Sequence, residues 1–397
     1  MRLIMAPAIL FVTVLIFVAA GSQPGARAKP LNGRDIFRFD TFGDEQLWTS
    51  VLRMHEVIPS VSPVTALGVG LKVDIEALPP ALVAALQAGE IDLTDPAVTI
   101  ELLRLNAVVG VIGKVEDQGR LASIGITCAL CHSTVDNSFA AGIGKRLDGW
   151  PNRDLDVGTI VGLSPVIPDD AFSSWGPGRY DPRDHAFDGT NIIPLNSPTL
   201  PVLIPPAYGL QGVGFETYTG DGSISYWNNY VGVSQMGGQG RFSDPRIGLT
   251  IIQKPDQVTP KLPALLQYQL SLEAPTPPNG SFNATAARRG ERLFHGKAAC
   301  ANCHKPPTFT DVLSGPDPAV PFLHDPAEVG TEPVYATRSA TGKYRTSPLR
   351  GIWQHPPYFH DGSAADLLAV VNHYDQVFKL NLSASQKADL VEFLRSL

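Results

Sequence analysis

All four cysteines of this 397-residue chain fall into two copies of one five-residue pattern, Cys128-Ala129-Leu130-Cys131-His132 and Cys300-Ala301-Asn302-Cys303-His304. Two thiols three positions apart on one turn can each add to a vinyl group of a single haem, while the imidazole that follows reaches the iron from below. The spacing therefore predicts two covalently bound c-type haems. Cys128, Cys131, Cys300 and Cys303 are the attachment points and His132 and His304 the proximal iron ligands. Two disulfides or one zinc site assembled from two Cys-x-x-Cys pairs would use the same thiols. Neither calls for a histidine directly after the second cysteine, still less at both places. A chain marked in this way has to wrap flat apolar macrocycles. Its 37 glycines and 35 prolines predict that it does so with short helices and long ordered loops.

The fold expected is mainly α, with two cytochrome c-like haem domains. Arg2, an apolar run over 3–20 and the tripeptide Ala26-Arg27-Ala28 read as an export signal over 1–28, which implies a periplasmic protein. An uncleaved anchor is the alternative, and the membrane enters only through it. Residues 29–273 are expected to form an N-terminal haem domain, with helices over 44–55 and 95–112 as a lead-in. Turn signals such as Gly149-Trp150-Pro151-Asn152 crowd 133–260, and a short helix is expected over 261–272. The proline-rich stretch 274–282 reads as a linker. Residues 283–397 then form the C-terminal domain, with helices over 286–294 and 383–397. The charge balance, 31 basic against 38 acidic residues, comes with no basic tract interleaved with aromatics, so nucleic acid is excluded as a partner. An acidic surface suits a basic protein, such as a small redox partner of cytochrome c or cupredoxin type.

His55, His185, His295 and His324 sit in no ligand pattern and are expected at the surface or as caps. Beyond residue 28 the methionines are Met54 and Met236, so a distal thioether on either haem has to come from one of these.

The stretch Lys343-Tyr344-Arg345-Thr346-Ser347-Pro348-Leu349-Arg350-Gly351, with Pro357-Tyr358-Phe359-His360-Asp361-Gly362 and Val370-Val371-Asn372-His373-Tyr374, resembles the bacterial di-haem cytochrome c peroxidase and MauG superfamily. The resemblance covers roughly residues 120–397 and is sharp from Gly290 onward. It implies two mainly helical haem domains, peroxidase-like chemistry at an open first haem and electron transfer at the second. A MauG-like or rubber-oxygenase-like oxidase is the alternative, and a pure electron carrier for a dehydrogenase a third. Tyr374, fourteen positions after His360, corresponds to the distal ligand of the second haem, a tyrosine in MauG. Asn196, His355 and Pro357 correspond to the ligands of a calcium ion between the haems. No histidine lies between His132 and His185, where reductively activated peroxidases carry a distal one. The family's bridging tryptophan is replaced in Thr219-Gly220-Asp221-Gly222, with Trp227 nearby, and its acid/base glutamate falls near Gln239-Gly240. Glutamine cannot shuttle a proton.

Overall fold

A computed structural model describes residues 30–168, 171–195 and 199–397. The expected export signal and Asn196 lie outside them. The lead-in opens with the helix Gly33–Phe39, whose first amides are taken up by the Asn32 side chain. A π-helical turn, Gln46–Val51, follows. The helix expected over 95–112 stops early. Asp95 caps it and it runs only over Pro96–Arg104, because Asn106 and Gly110 take positive φ and Val111–Val115 already pairs antiparallel with Leu121–Ile126. That hairpin delivers the chain to the first cysteine motif. Gly110 is needed there, since a Cβ on it would sit 2.0 Å from the Leu130 amide nitrogen.

The turn-rich middle is built from two-stranded ladders, and no larger sheet forms among the described residues. Two helices interrupt it, Val157–Gly162 and Ile224–Tyr230, and the later one widens into a second π-turn, Val231–Gln235. The helix Leu262–Ser271 closes the region. The second motif is preceded by Ala284–His295, capped by Asn283. The chain ends in Ala384–Arg395, which carries a full capping box from Ser383 and Gln386. These two helices cross closely at Gly290, where a Cβ would meet the Asp389 carbonyl oxygen at 2.0 Å.

Three apolar clusters organise the interior. Two are drawn from the chain before residue 270, one around Trp48, Leu130 and Trp175 and one around Phe37, Ala129 and Val233. The third gathers Phe294, Phe309, Leu390 and Phe393 around the second motif. A smaller cluster, Val202, Tyr335, Ala336 and Tyr344, joins early and late chain. Beside it lie two buried ion pairs, Arg338 with Asp181 and Arg183 with Asp221. Asn32–Leu397 is thus one compact unit. Among the described residues no helix is long and apolar enough to cross a membrane.

Candidate functional site

In both motifs the histidine amide closes on the carbonyl of the first cysteine, His132 on Cys128 at 3.1 Å and His304 on Cys300 at 2.9 Å. One turn therefore gathers two thiols and an imidazole, as thioether attachment requires. The ring orientation is fixed from behind. His132 Nδ1 lies 3.1 Å from the Pro205 carbonyl oxygen and His304 Nδ1 3.0 Å from that of Phe309. A hydrogen bond donated by Nδ1 leaves Nε2 as the metal-binding nitrogen. Burial pulls His132 down to about 4 and lowers His304 as well, so both rings are neutral and able to ligate. Burial also pushes the Cys128 and Cys131 thiols up to about 12 and Cys300 to about 11. None of the four is in a disulfide, and the two pairs pack in different apolar clusters, Cys128 beside that of Ala129 and Cys300 beside that of Phe294.

His132 opens into a cavity of about 270 Å³ whose wall is mostly apolar, with Trp48, Ile204 and Val231 among its residues. The indole N–H groups of Trp175 and Trp227, which line it, are buried without a partner. An apolar slot with unpaired donors on its wall fits a macrocycle that bears carboxylates. Met236 and His185, a thioether and an imidazole that can ligate iron, share the wall. His185, expected at the surface, packs its ring on Phe172. Gln235, not Gln239, is the glutamine of the cavity. Its amide oxygen accepts from the Tyr180 hydroxyl at 2.6 Å and its NH₂ donates to the His185 carbonyl at 3.0 Å. Gln239 bonds instead to the exposed Lys254 carbonyl.

Around the second motif, Tyr374 lies beside both thiols. Burial first, and then the charges of Cys300 and Cys303, push its phenol up to about 12. Its ring is boxed by Phe359, His373 and Phe378. His324 is buried rather than exposed, bonded through Nε2 to Asp311 at 3.1 Å and through Nδ1 to Glu328 at 2.9 Å. With Asp311 and Cys303 it forms a group whose donor atoms could surround a metal ion. The Asp311 bond, with those of Cys303 and Glu328, raises His324 to about 11. A doubly bonded imidazolium has no lone pair to offer, and Cys303 is claimed by the haem motif.

The calcium expectation rests on Asn196, outside the described residues, and on His355 and Pro357. Beside His355 stands a guanidinium, with Arg153 Nη2 3.5 Å from Nδ1. Burial, and then Arg153, lowers His355 to about 3. Calcium prefers several oxygens, carboxylates among them. The resemblance calls for oxygens, the Asn196 side chain and the backbone carbonyls of His355 and Pro357, and the guanidinium stands beside the His355 ring rather than those carbonyls.

No family model matches the chain. Curated relatives do. The cytochrome-c peroxidase IdrP1 of Pseudomonas sp. (strain SCT) is 32% identical over 160 residues, covering 30% of this chain and 42% of the relative. The methylamine utilization protein MauG of Methylorubrum extorquens is 35% identical over 129 residues, covering 28% and 34%. The chain thus spans less than half the length of these relatives. Among solved structures, hydrazine synthase of Kuenenia stuttgartiensis aligns over 54% of this chain and 76% of that chain, with TM-score 0.32 and 20% identity. A MauG-like protein associated with microbial copper homeostasis aligns over 38% and 62%, with TM-score 0.29 and 22% identity.

Proposed function

The chain resembles the di-haem cytochrome c peroxidase and MauG superfamily in its curated relatives as in its motifs, and from that premise we propose that it is a periplasmic di-haem c-type oxidoreductase of peroxidase-like type. The haem on His132 offers an open site and the haem on His304 passes electrons. A bound haem would supply the redox chemistry, and the protein supplies orientation, electrostatics and the exclusion of water. The observation that carries the reading is the cavity at His132, an apolar slot with a fixed neutral imidazole on its wall and no second histidine of the family's kind between His132 and His185. An electron donor of cytochrome c or cupredoxin type would serve the second haem, consistent with an acidic surface. Gln235 favours a second reading, a MauG-like oxidase or oxygenase, because a carboxamide cannot relay the proton that O–O heterolysis needs.

Electron paramagnetic resonance of the ferric protein tests this directly. One high-spin signal that cyanide converts to low spin, beside one that ignores it, is the expected result. Two low-spin signals, both indifferent to cyanide, would overturn the open site and leave an electron carrier. His185→Ala and Met236→Ala would then identify which side chain closes the iron.

A further inference from the structure

Tyr344, Glu332 and His360 form one knot of hydrogen bonds. The Tyr344 hydroxyl faces Glu332, 2.9 Å from its Oε1 and from its carbonyl oxygen. It also lies 3.2 Å from His360 Nε2, which is itself 2.8 Å from the same carboxylate oxygen. Tyr344 is 6% exposed and His360 4%. The amides of Val334, at 2.8 Å, and Tyr335, at 3.1 Å, hold the carboxylate in place. Rings carry the knot to the wall of the first cavity. His360 stacks on Tyr335 with 5.6 Å between centroids and lies 6.1 Å from Tyr218, and both tyrosines line that cavity. On its other side Tyr344 exchanges both backbone hydrogen bonds with His324, at 2.8 and 2.9 Å. A ring nitrogen of His324 lies within 4.8 Å of the Cys303 sulfur. Tyr344 thus stands between the two regions where haems are expected.

We infer that Tyr344 is a redox-active side chain, oxidised by one electron to a neutral phenoxyl radical when hydrogen peroxide is reduced at the first cavity, with Glu332 taking its proton. The inference rests on the peroxidase-like reading and deepens it. Reducing one hydrogen peroxide to two waters takes two electrons and two protons. One electron comes from Tyr344 and one from the iron centre, and both protons come from solvent. The phenolic O–H bond breaks, its proton bonds to Glu332 Oε1, and the ionised carboxylate becomes a neutral carboxyl. An electron from the redox partner and the same proton then restore the phenol.

Hydrogen-bond partners single out Tyr344 among the three phenols around His360. Tyr218 and Tyr335 are bonded to guanidiniums, those of Arg153 and Arg183, and a cation takes no proton. Tyr344 meets a carboxylate. Burial would raise Glu332, yet hydrogen bonds from His360, the Tyr335 amide and Tyr344 hold it below its ordinary range, so it is ionised and able to accept. Burial, and then Glu332, hold the Tyr344 phenol well above its ordinary range, so the resting side chain keeps its proton. A phenol that loses an electron turns into a strong acid, and a fixed base at hydrogen-bond distance lets electron and proton leave together.

Freeze-quenched electron paramagnetic resonance of the ferric holo-protein, mixed with equimolar hydrogen peroxide, is the test. Wild type should show a radical signal that narrows when the tyrosines are ring-deuterated. Tyr344→Phe should lose that signal. Glu332→Gln, which keeps the shape without the base, should slow its appearance by about 10²-fold. If either variant fails to fold, fluorine placed on the ring of Tyr344 by genetic incorporation keeps ring and hydroxyl, and a fluorine splitting in the signal identifies the residue. A tyrosyl signal that survives Tyr344→Phe, lacks the fluorine splitting or appears unslowed in Glu332→Gln overturns the inference and leaves the peroxidase-like reading standing. So does a haem spectrum that peroxide alters with no tyrosyl signal at all. A haem spectrum that peroxide leaves untouched overturns both.

Discussion

At the scale of single residues, the two Cys-x-x-Cys-His patterns were legible as turns, because their spacing is local, and the histidine amide closes on the first cysteine's carbonyl at both. Tyr374 was legible only through one aligned position, yet it lies beside Cys300 and Cys303. Met236, the rival thioether, is instead on the wall of the first cavity. A phenol with a pKa pushed up to about 12 becomes a ligand only if ferric iron stabilises its phenolate, and such ligation favours the oxidised state. Tyr374→Phe should therefore change the second haem's optical spectrum and raise its midpoint potential by on the order of 0.1 V, a modest part of the ~0.8 V that axial ligands span. Cyanide binding at the first haem should stay as in wild type. Unchanged spectra and potentials in a spectroelectrochemical titration would remove Tyr374 from the iron. Glu332, His185 and His324 were invisible in the sequence for a common reason. Burial and hydrogen-bond partners depend on which distant segments close over a residue, and no local pattern encodes that.

At the scale of elements, periodicity found the helices of the late chain, where apolar stripes and caps agree. Ala284–His295 and Ala384–Arg395 lie within a residue or two of the expected spans. It overran in 95–112, where positive-φ turns and a strand pairing outweighed local helix propensity. It also had no means of seeing the π-turn at Val231–Gln235, which ends at the cavity residue Gln235. Gly290 shows the converse, a residue whose role lies in an element crossing. Its Cβ would strike the Asp389 carbonyl, a backbone atom that cannot swing away. Gly290→Ala gains helix propensity yet should destabilise the protein by about 1–3 kcal/mol through forced separation of the two helices. Thermal unfolding followed by far-ultraviolet circular dichroism reads this, and an unchanged or higher midpoint would show that the crossing relaxes freely.

At the scale of the whole molecule, the early and late chain are tied by buried polar groups as well as by apolar packing. Arg338 pairs with Asp181 through both carboxylate oxygens at 3.0 Å, at 8% and 1% exposure. Arg183 donates to the Arg338 carbonyl at 3.1 Å, and Trp353 holds the Pro275 carbonyl, within the stretch read as a linker, at 3.1 Å. Residues 157 positions apart thus satisfy one another, and a charge stripped of its partner in such a place costs about 3–5 kcal/mol. Asp181→Asn keeps the shape but leaves the Arg338 guanidinium without a counter-charge. Because that pair joins both parts of Asn32–Leu397, its loss should lower one shared transition. Differential scanning calorimetry of the holo-protein, with absorbance at each haem recorded in parallel, should show a single endotherm that moves down with both haem signals together. Two endotherms, of which Asp181→Asn shifts one alone, would mean that the two haem regions unfold independently and that the buried pairs serve only the side on which they are anchored.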